Sequence, residues 1–393
     1  MNRQYRPYRA LIALVMTGIA EAAPFLPKTD EEVLERLPAV VGSAARELRA
    51  ERDRLIREPD NLSLAVALAR HYIELGQQEA DPRYNGYAEG VLQPWWHLAE
   101  PPSEILLLRA ALRQSRHEFA PALEDLSRLL ARDPRHPEAW LMRAAILLVR
   151  ADYRDALASC LPLLRFGHEF LALSCMGSMA SLNGKAEAGY KLLQEALERW
   201  SQGATPGERV RLLSLLAKTA ERIGDPPRAE GHFRAALALN DRDPYLLGAY
   251  ADFLLDQGRP AEVKKLLEEQ TRIDGLLLRL ALAEQQLGSS GLPARIEVLR
   301  VRFAASRMRG EALHQGDEAR FTLYLLAQPK EALRLAQANF AVQREPRDLR
   351  VLLEAALAAG EREAAEPALA LLRETGLEDP HLQGLVSQLT TPP

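Results

Sequence analysis

The sequence predicts an all-α protein, an α-solenoid of about nine stacked helix-turn-helix hairpins wound into a superhelix. Three observations predict it. Over Ser103–Leu164 one helical hairpin is written twice, 34 residues apart, so that Ala110 matches Ala144, Ala122 matches Ala156 and Leu129 matches Leu163. The same interval separates Gly224 from Gly258, with Ala217/Ala251 and Ala229/Val263 at equivalent places. The composition is that of a helix former, 47% hydrophobic but only 6% aromatic, rich in Ala, Leu, Arg and Glu. A fixed period of this length marks a stacked repeat, because one hairpin is too small to bury its apolar face alone.

Residues 1–22 read as a secretory signal peptide. Arg3, Arg6 and Arg9 precede the apolar run Ala10–Ala20, and Ala20-Glu21-Ala22 supplies small residues at a cleavage site. The run is too short to span a bilayer comfortably, and no second long apolar stretch follows. The expectation is therefore a periplasmic or secreted bacterial protein with no transmembrane segment after signal cleavage. Residues 23–58 then form a linker and an N-terminal capping helix, with Thr29 or Asp30 as its cap and Glu31 and Glu32 in the first turn. Such a helix covers the open end of an array.

The array proper occupies residues 59–290. Glu58-Pro59-Asp60-Asn61 breaks the capping helix and starts a first hairpin, Leu62–Leu75 with a partner near Tyr84–Trp95. Trp95 and Trp96 end that hairpin; adjacent tryptophans can stack on a sugar, but beside Pro94 they suit closing a core edge better. In the two clearest repeats Arg109 is placed to reach Asp125 on the paired helix, a structural bridge. Gly184, Gly224, Gly258 and Gly288 stand where a left-handed cap separates two helices. Residues 291–390 form irregular C-terminal hairpins, beginning with an Arg-rich helix over 293–309 whose basic face suits either solvent or an acidic partner.

The two cysteines, Cys160 and Cys175, fall on packing-neighbour helices. They suit either a disulfide, favoured by an oxidising compartment, or two small apolar core residues.

The 34-residue spacing resembles the tetratricopeptide repeat (TPR) family. Trp140 takes the family's fourth position, Ala144 its eighth and Ala156 its twentieth, while Asp133-Pro134 ends the repeat with a proline that cannot continue the helix. The resemblance covers nearly all of the chain after the signal, strongly over 103–167 and 208–270 and weakly at both ends. It implies a non-catalytic protein–protein interaction scaffold that binds a polypeptide partner in the concave groove. In similar proteins fixed repeat positions line that groove. Carried over, they give Glu138, Arg211, Lys218, Tyr245, Asp252, Asp256, Arg347, Arg350 and Glu354 as partner-binding residues, with Leu141, Ala145, Ser214 and Glu221 beside them. The family's Lys and Asn carboxylate-clamp pattern is not reproduced, so recognition of a peptide C-terminus is not implied.

Little in the sequence points to other chemistry. It has no HExxH, CxxC, GxSxG, phosphate-binding loop or EF-hand loop, and no two of its eight His stand four residues apart. The expectation is no enzyme, no metal and no cofactor. A formal net charge of −4 argues against nucleic acid as a partner, because phosphate contacts need a basic surface. The alternative is a helical enzyme subunit, or a binder of a glycan or lipid intermediate, resting on Trp95, Trp96 and Tyr245.

Overall fold

The computed structural model describes residues 43–308 and 315–390; the segment read as a signal peptide and the start of the capping helix lie outside them. Two compact units divide the chain at residues 49 and 50. Helix α1 (Ser43–Arg57) runs through that division. Nine helical hairpins follow among the described residues. They are α2 (Leu62–Glu79) with α3 (Arg83–Trp96), α4 (Ser103–Ser115) with α5 (Phe119–Arg132), and α6 (Pro137–Val149) with α7 (Tyr153–Arg165). Next come α8 (Glu169–Leu182) with α9 (Ala186–Glu195), α10 (Pro206–Ile223) with α11 (Pro226–Leu239), and α12 (Pro244–Asp256) with α13 (Pro260–Leu267). The last are α14 (Asp274–Leu287) with α15 (Leu292–Met308), α16 (Gln315–Tyr324) with α17 (Pro329–Val342), and α18 (Pro346–Ala359) with α19 (Glu366–Thr375). A final helix, α20 (Pro380–Thr390), follows them.

The caps explain the breaks. Asn61 accepts the backbone N–H of Leu64 at 3.2 Å to open α2. Thr205 and Glu208 form a reciprocal capping box at the start of α10, so the long connection before it is an ordered helix start. Gly224 and Gly258 end α10 and the α12 turn at φ 78° and 66°, a region that penalises any side chain with a Cβ.

Small residues stand where the helices cross. Ala110, Ala122, Ala144, Ala156 and Ala229 are all buried, as the repeat spacing requires. Trp140 is half-buried and ties down its own turn, donating Nε1–H to the Pro134 carbonyl at 2.9 Å. The predicted Arg109–Asp125 bridge is present and bidentate, at 2.9 and 2.6 Å, and Arg113 adds a third bond to Asp125 at 2.7 Å. Arg109 also donates to the Trp96 carbonyl and lies over the Trp96 ring. Trp96 is thereby buried and Trp95 half-buried, so this pair offers no open platform for a sugar. On α15, Leu299 and Phe303 face the core, while Arg295 pairs with Glu284 and Arg302 with Asp274 at 2.7 and 2.8 Å. Arg300 pairs with Glu297 and Arg307 with Glu318, so these four arginines are engaged within the chain rather than held out for an acidic partner.

The stacked helical array expected from the sequence is present, and it also closes on itself. One apolar cluster joins Ala144, Leu147 and Met179 of α6 and α8 to Leu335, Phe340, Leu352 and Leu382 of α17, α18 and α20. Backbone contacts fix the seam. The Arg344 N–H donates to the Val149 carbonyl at 2.8 Å, and the Ala186 N–H donates to Glu378 Oε2 at 2.9 Å. Burial of apolar surface on this scale makes the closure a standing part of the fold.

Cys160 and Cys175 form a disulfide between α7 and α8, with Cα atoms 5.7 Å apart. The bridge closes a short loop within the cluster that seals the ring. Replacing both cysteines by Ala is expected to cost about 3 kcal/mol on the chain-entropy account. Urea midpoints of the oxidised protein and the double variant check this, and coincident midpoints would show that the bridge adds nothing.

Candidate functional site

Closure turns the groove into a cavity of about 330 Å³. Its wall comes from the first helices of successive hairpins, α10, α12, α14, α16 and α18, with the start of α20 at one edge. Residues four apart share one face of a helix, so Asp252 and Asp256 on α12 look into the same space as Arg350 and Glu354 on α18. Of the nine partner-binding residues expected from the sequence, the structure brings seven together here: Lys218, Tyr245, Asp252, Asp256, Arg347, Arg350 and Glu354. Glu138 lies elsewhere, on α6, 3.5 Å from Arg70, and Arg211 is exposed on α10 outside the cavity.

The cavity is a lattice of opposite charges. Asp252 accepts from Arg279 Nη2 at 2.6 Å and from Arg320 Nη1 at 3.0 Å, joining α12 to α14 and α16. Arg350 donates across the ring to Asp256 at 2.7 Å and along its own helix to Glu354 at 2.8 Å. His381 on α20 lies 3.6 Å from Asp256. These contacts correct the picture of free groove residues. Asp252, Asp256, Arg350 and Glu354 are partners of one another and hold the ring's inner wall together.

Burial and pairing pull the titrations in opposite directions, and the outcome differs from group to group. Burial opposes the charge on Asp252, yet Arg279 and Arg320 outweigh it and hold the carboxyl well below its usual range. Burial likewise opposes Arg320 and Arg350, but the carboxylates facing them, Asp252 for the first and Asp256 with Glu354 for the second, keep both firmly protonated. For Arg347 the nearby Glu345 is the main influence and raises it further. Lys218 is raised because Glu221 overcomes the cost of burial. Glu221 itself is raised, since burial prevails and Lys218 offsets only part of it.

Some groups keep spare capacity. Among the described residues Arg347 makes no hydrogen bond, and its nearest acid is Glu345 at 3.4 Å. Tyr245 is 62% exposed where it lines the cavity, and among the described residues its hydroxyl makes no hydrogen bond. Glu221 Oε2 is buried and sits 3.2 Å from Lys218 Nζ, off the hydrogen-bonding line, so that no donor satisfies it.

Arg279 and Arg320 are the residues that repeat positions missed. A signal for the first was available: Arg279 interrupts the apolar run Leu276-Leu277-Leu278-Arg279-Leu280, just as Arg109 interrupts Leu106-Leu107-Leu108-Arg109-Ala110. A lone guanidinium in such a run must find an acid when the helix packs. Among the described residues no group of His, Cys, Asp and Glu is placed to hold a metal, and no helix is long and apolar enough to cross a membrane.

No family model and no curated protein matches this chain. Among solved structures it is similar to a thermophilic TPR protein of Thermus thermophilus, at 22% identity and a TM-score of 0.39, over 49% of this chain and 97% of that one. TPR proteins are among its structural neighbours. It is also similar to the Cut9–Hcn1 assembly of the APC/C, at 12% identity and a TM-score of 0.49, covering 88% of this chain and 67% of that one. PilF of Pseudomonas aeruginosa is 14% identical with a TM-score of 0.34, over 73% of this chain and 97% of its own. These likenesses concern the helical-repeat fold, and the architecture itself stands on the nine hairpins of this chain.

Proposed function

We propose that the chain is a non-catalytic, helical-repeat interaction scaffold whose polypeptide partner engages the charged wall of the ring at its open side. The observation that carries this reading is the cavity, a preformed concave site built from five consecutive first helices and presenting Tyr245 and Arg347 at side-chain exposures that a partner can cover. An exposed aromatic ring beside an arginine is the usual material of an interface anchor. The cavity carboxylates Asp252, Asp256 and Glu354 are tied to guanidiniums, which favours recognition over chemistry.

The reading includes export. Arg3, Arg6 and Arg9 ahead of Ala10–Ala20 support it, and so does a disulfide at Cys160–Cys175, which persists best in an oxidising compartment.

A photo-crosslinking amino acid placed at position 245 tests the interaction in the native host. One dominant polypeptide should be captured there, and the yield should collapse when Arg347→Ala is added. A probe at the exposed position 161 on α7 should not capture the same species. Equal capture from both positions would sink the proposal, as would capture indifferent to Arg347. N-terminal sequencing of the same material tests export, since an intact Met1 in soluble protein from the cell interior removes that part.

A further inference from the structure

We propose that the cavity also binds a small zwitterion of the amino-acid to tripeptide class, its ammonium directed to Glu221 and its carboxylate to Arg347, with Lys218 and Tyr245 between them. This goes beyond the polypeptide reading and stands whether or not a protein partner is captured.

Three observations carry it. The first is charge balance. The wall holds Lys218, Arg222, Arg279, Arg320, Arg347 and Arg350 against Glu221, Asp252, Asp256, Asp317, Glu345, Glu354 and Asp379. With the two signs so nearly matched, a ligand of one sign meets buried like charge, while a zwitterion satisfies both signs without leaving a net charge in the cavity. The second is unused bonding capacity at two separate points. Glu221 Oε2 is buried with only the Lys218 ammonium beside it, 3.2 Å away and outside hydrogen-bond geometry, so the carboxylate has room for a further donor. Arg347 is a planar five-donor group with no hydrogen bond among the described residues, and its fork matches a carboxylate.

The third observation is that these points belong to one surface. Lys218, Glu221, Tyr245 and Arg347 all line the same cavity, and Lys218 lies 3.2 Å from Glu221. Size agrees as well. At about 330 Å³ the cavity falls at the small end of small-molecule sites.

Calorimetry on the purified mature chain tests this, titrating glycine, L-lysine, Ala-Ala and Ala-Ala-Ala. At least one should bind, and blocking either end, as in N-acetyl-Ala-Ala or Ala-Ala-amide, should weaken binding by roughly tenfold or more, the loss expected for one charge-assisted hydrogen bond. Glu221→Gln and Arg347→Ala should each produce a similar loss while the melting curve remains cooperative. The two variants should also differ: Glu221→Gln should hardly change the affinity of an acetylated peptide, and Arg347→Ala should hardly change that of an amidated one. Blocked peptides binding as well as free ones would overturn the proposal. So would binding of none of the four, or preference for inorganic phosphate, which would make the site a plain anion pocket. Photo-crosslinking at position 245 is read independently, so failure here and failure of the polypeptide reading remain distinguishable.

Discussion

Asp252→Ala should destabilise the ring by about 3 kcal/mol, one of the largest effects of any single change to the cavity wall. Asp252 accepts bonds from Arg279 at 2.6 Å and Arg320 at 3.0 Å, and the Arg279 side chain is only 8% exposed. Removing the carboxylate leaves two guanidiniums facing each other across α14 and α16, with Asp317, 3.7 Å from Arg279, as the remaining acid beside them. Breaking a buried pair from one side commonly costs about 3–5 kcal/mol, and the water that reaches Asp252 through the cavity places this case at the lower end. Asp252→Asn should cost less, because it keeps an acceptor. Adding Arg320→Met to Asp252→Ala should recover part of the loss, since the second charge then no longer needs a partner.

The pH dependence has a definite sign. Asp252 is depressed below its ordinary value, so its contribution is complete above about pH 4, near the unfolded carboxyl, and is lost as the pH falls further. Wild type and Asp252→Ala should therefore differ most at neutral pH and converge in acid. Urea midpoints at pH 7 and pH 3 measure both effects. Equal midpoints at pH 7 would mean that the Asp252 pairs do not hold the wall together.

The hairpins were legible because each is a local statement. A 34-residue interval matches Ala110 to Ala144 and Ala122 to Ala156, all four buried, and glycines with positive φ separate the helices at several of the turns. The inner wall was legible for the same reason, since the helical face carrying Asp252 and Asp256 follows from their spacing. What the sequence does not show is where the C-terminal hairpins fold back on the middle of the array. Each repeat specifies only its packing on the next, and a small rotation per repeat accumulates over nine hairpins into the overall curvature. The Arg344–Val149 and Ala186–Glu378 contacts that seal the ring join residues about two hundred positions apart, with no periodic mark on either side. Seven of the nine groove residues line one cavity, while their engagement with one another was hidden. Glu138 lies apart from them, 3.5 Å from Arg70 on α2.

Gly189→Ala should destabilise the chain by about 2 kcal/mol, although alanine is the better helix former. Helix α9 crosses α8 with Gly189 against Gly177, so closely that a Cβ on Gly189 would stand 2.5 Å from the Gly177 carbonyl oxygen and 2.8 Å from the Ser181 nitrogen. Both are backbone atoms of a packed helix and cannot turn aside, so α9 itself must move. Overpacking of this kind costs about 1–3 kcal/mol, toward the upper end when backbone is struck, whereas glycine to alanine inside a helix gains about 1 kcal/mol. The clash wins. Displacing α9 also pulls at the seam, because the α8–α9 turn is where Ala186 meets Glu378 and Gly184 meets Gly376. Gly231→Ala on α11 is the control: a Cβ there meets nothing within 4 Å, so only the helical gain remains and stability should rise by about 0.5–1 kcal/mol. Thermal melts of the two variants should shift in opposite directions, and limited proteolysis should cut the Gly189 variant sooner within residues 184–196. Were both variants to stabilise the protein equally, α8 and α9 could not cross as closely as the structure places them.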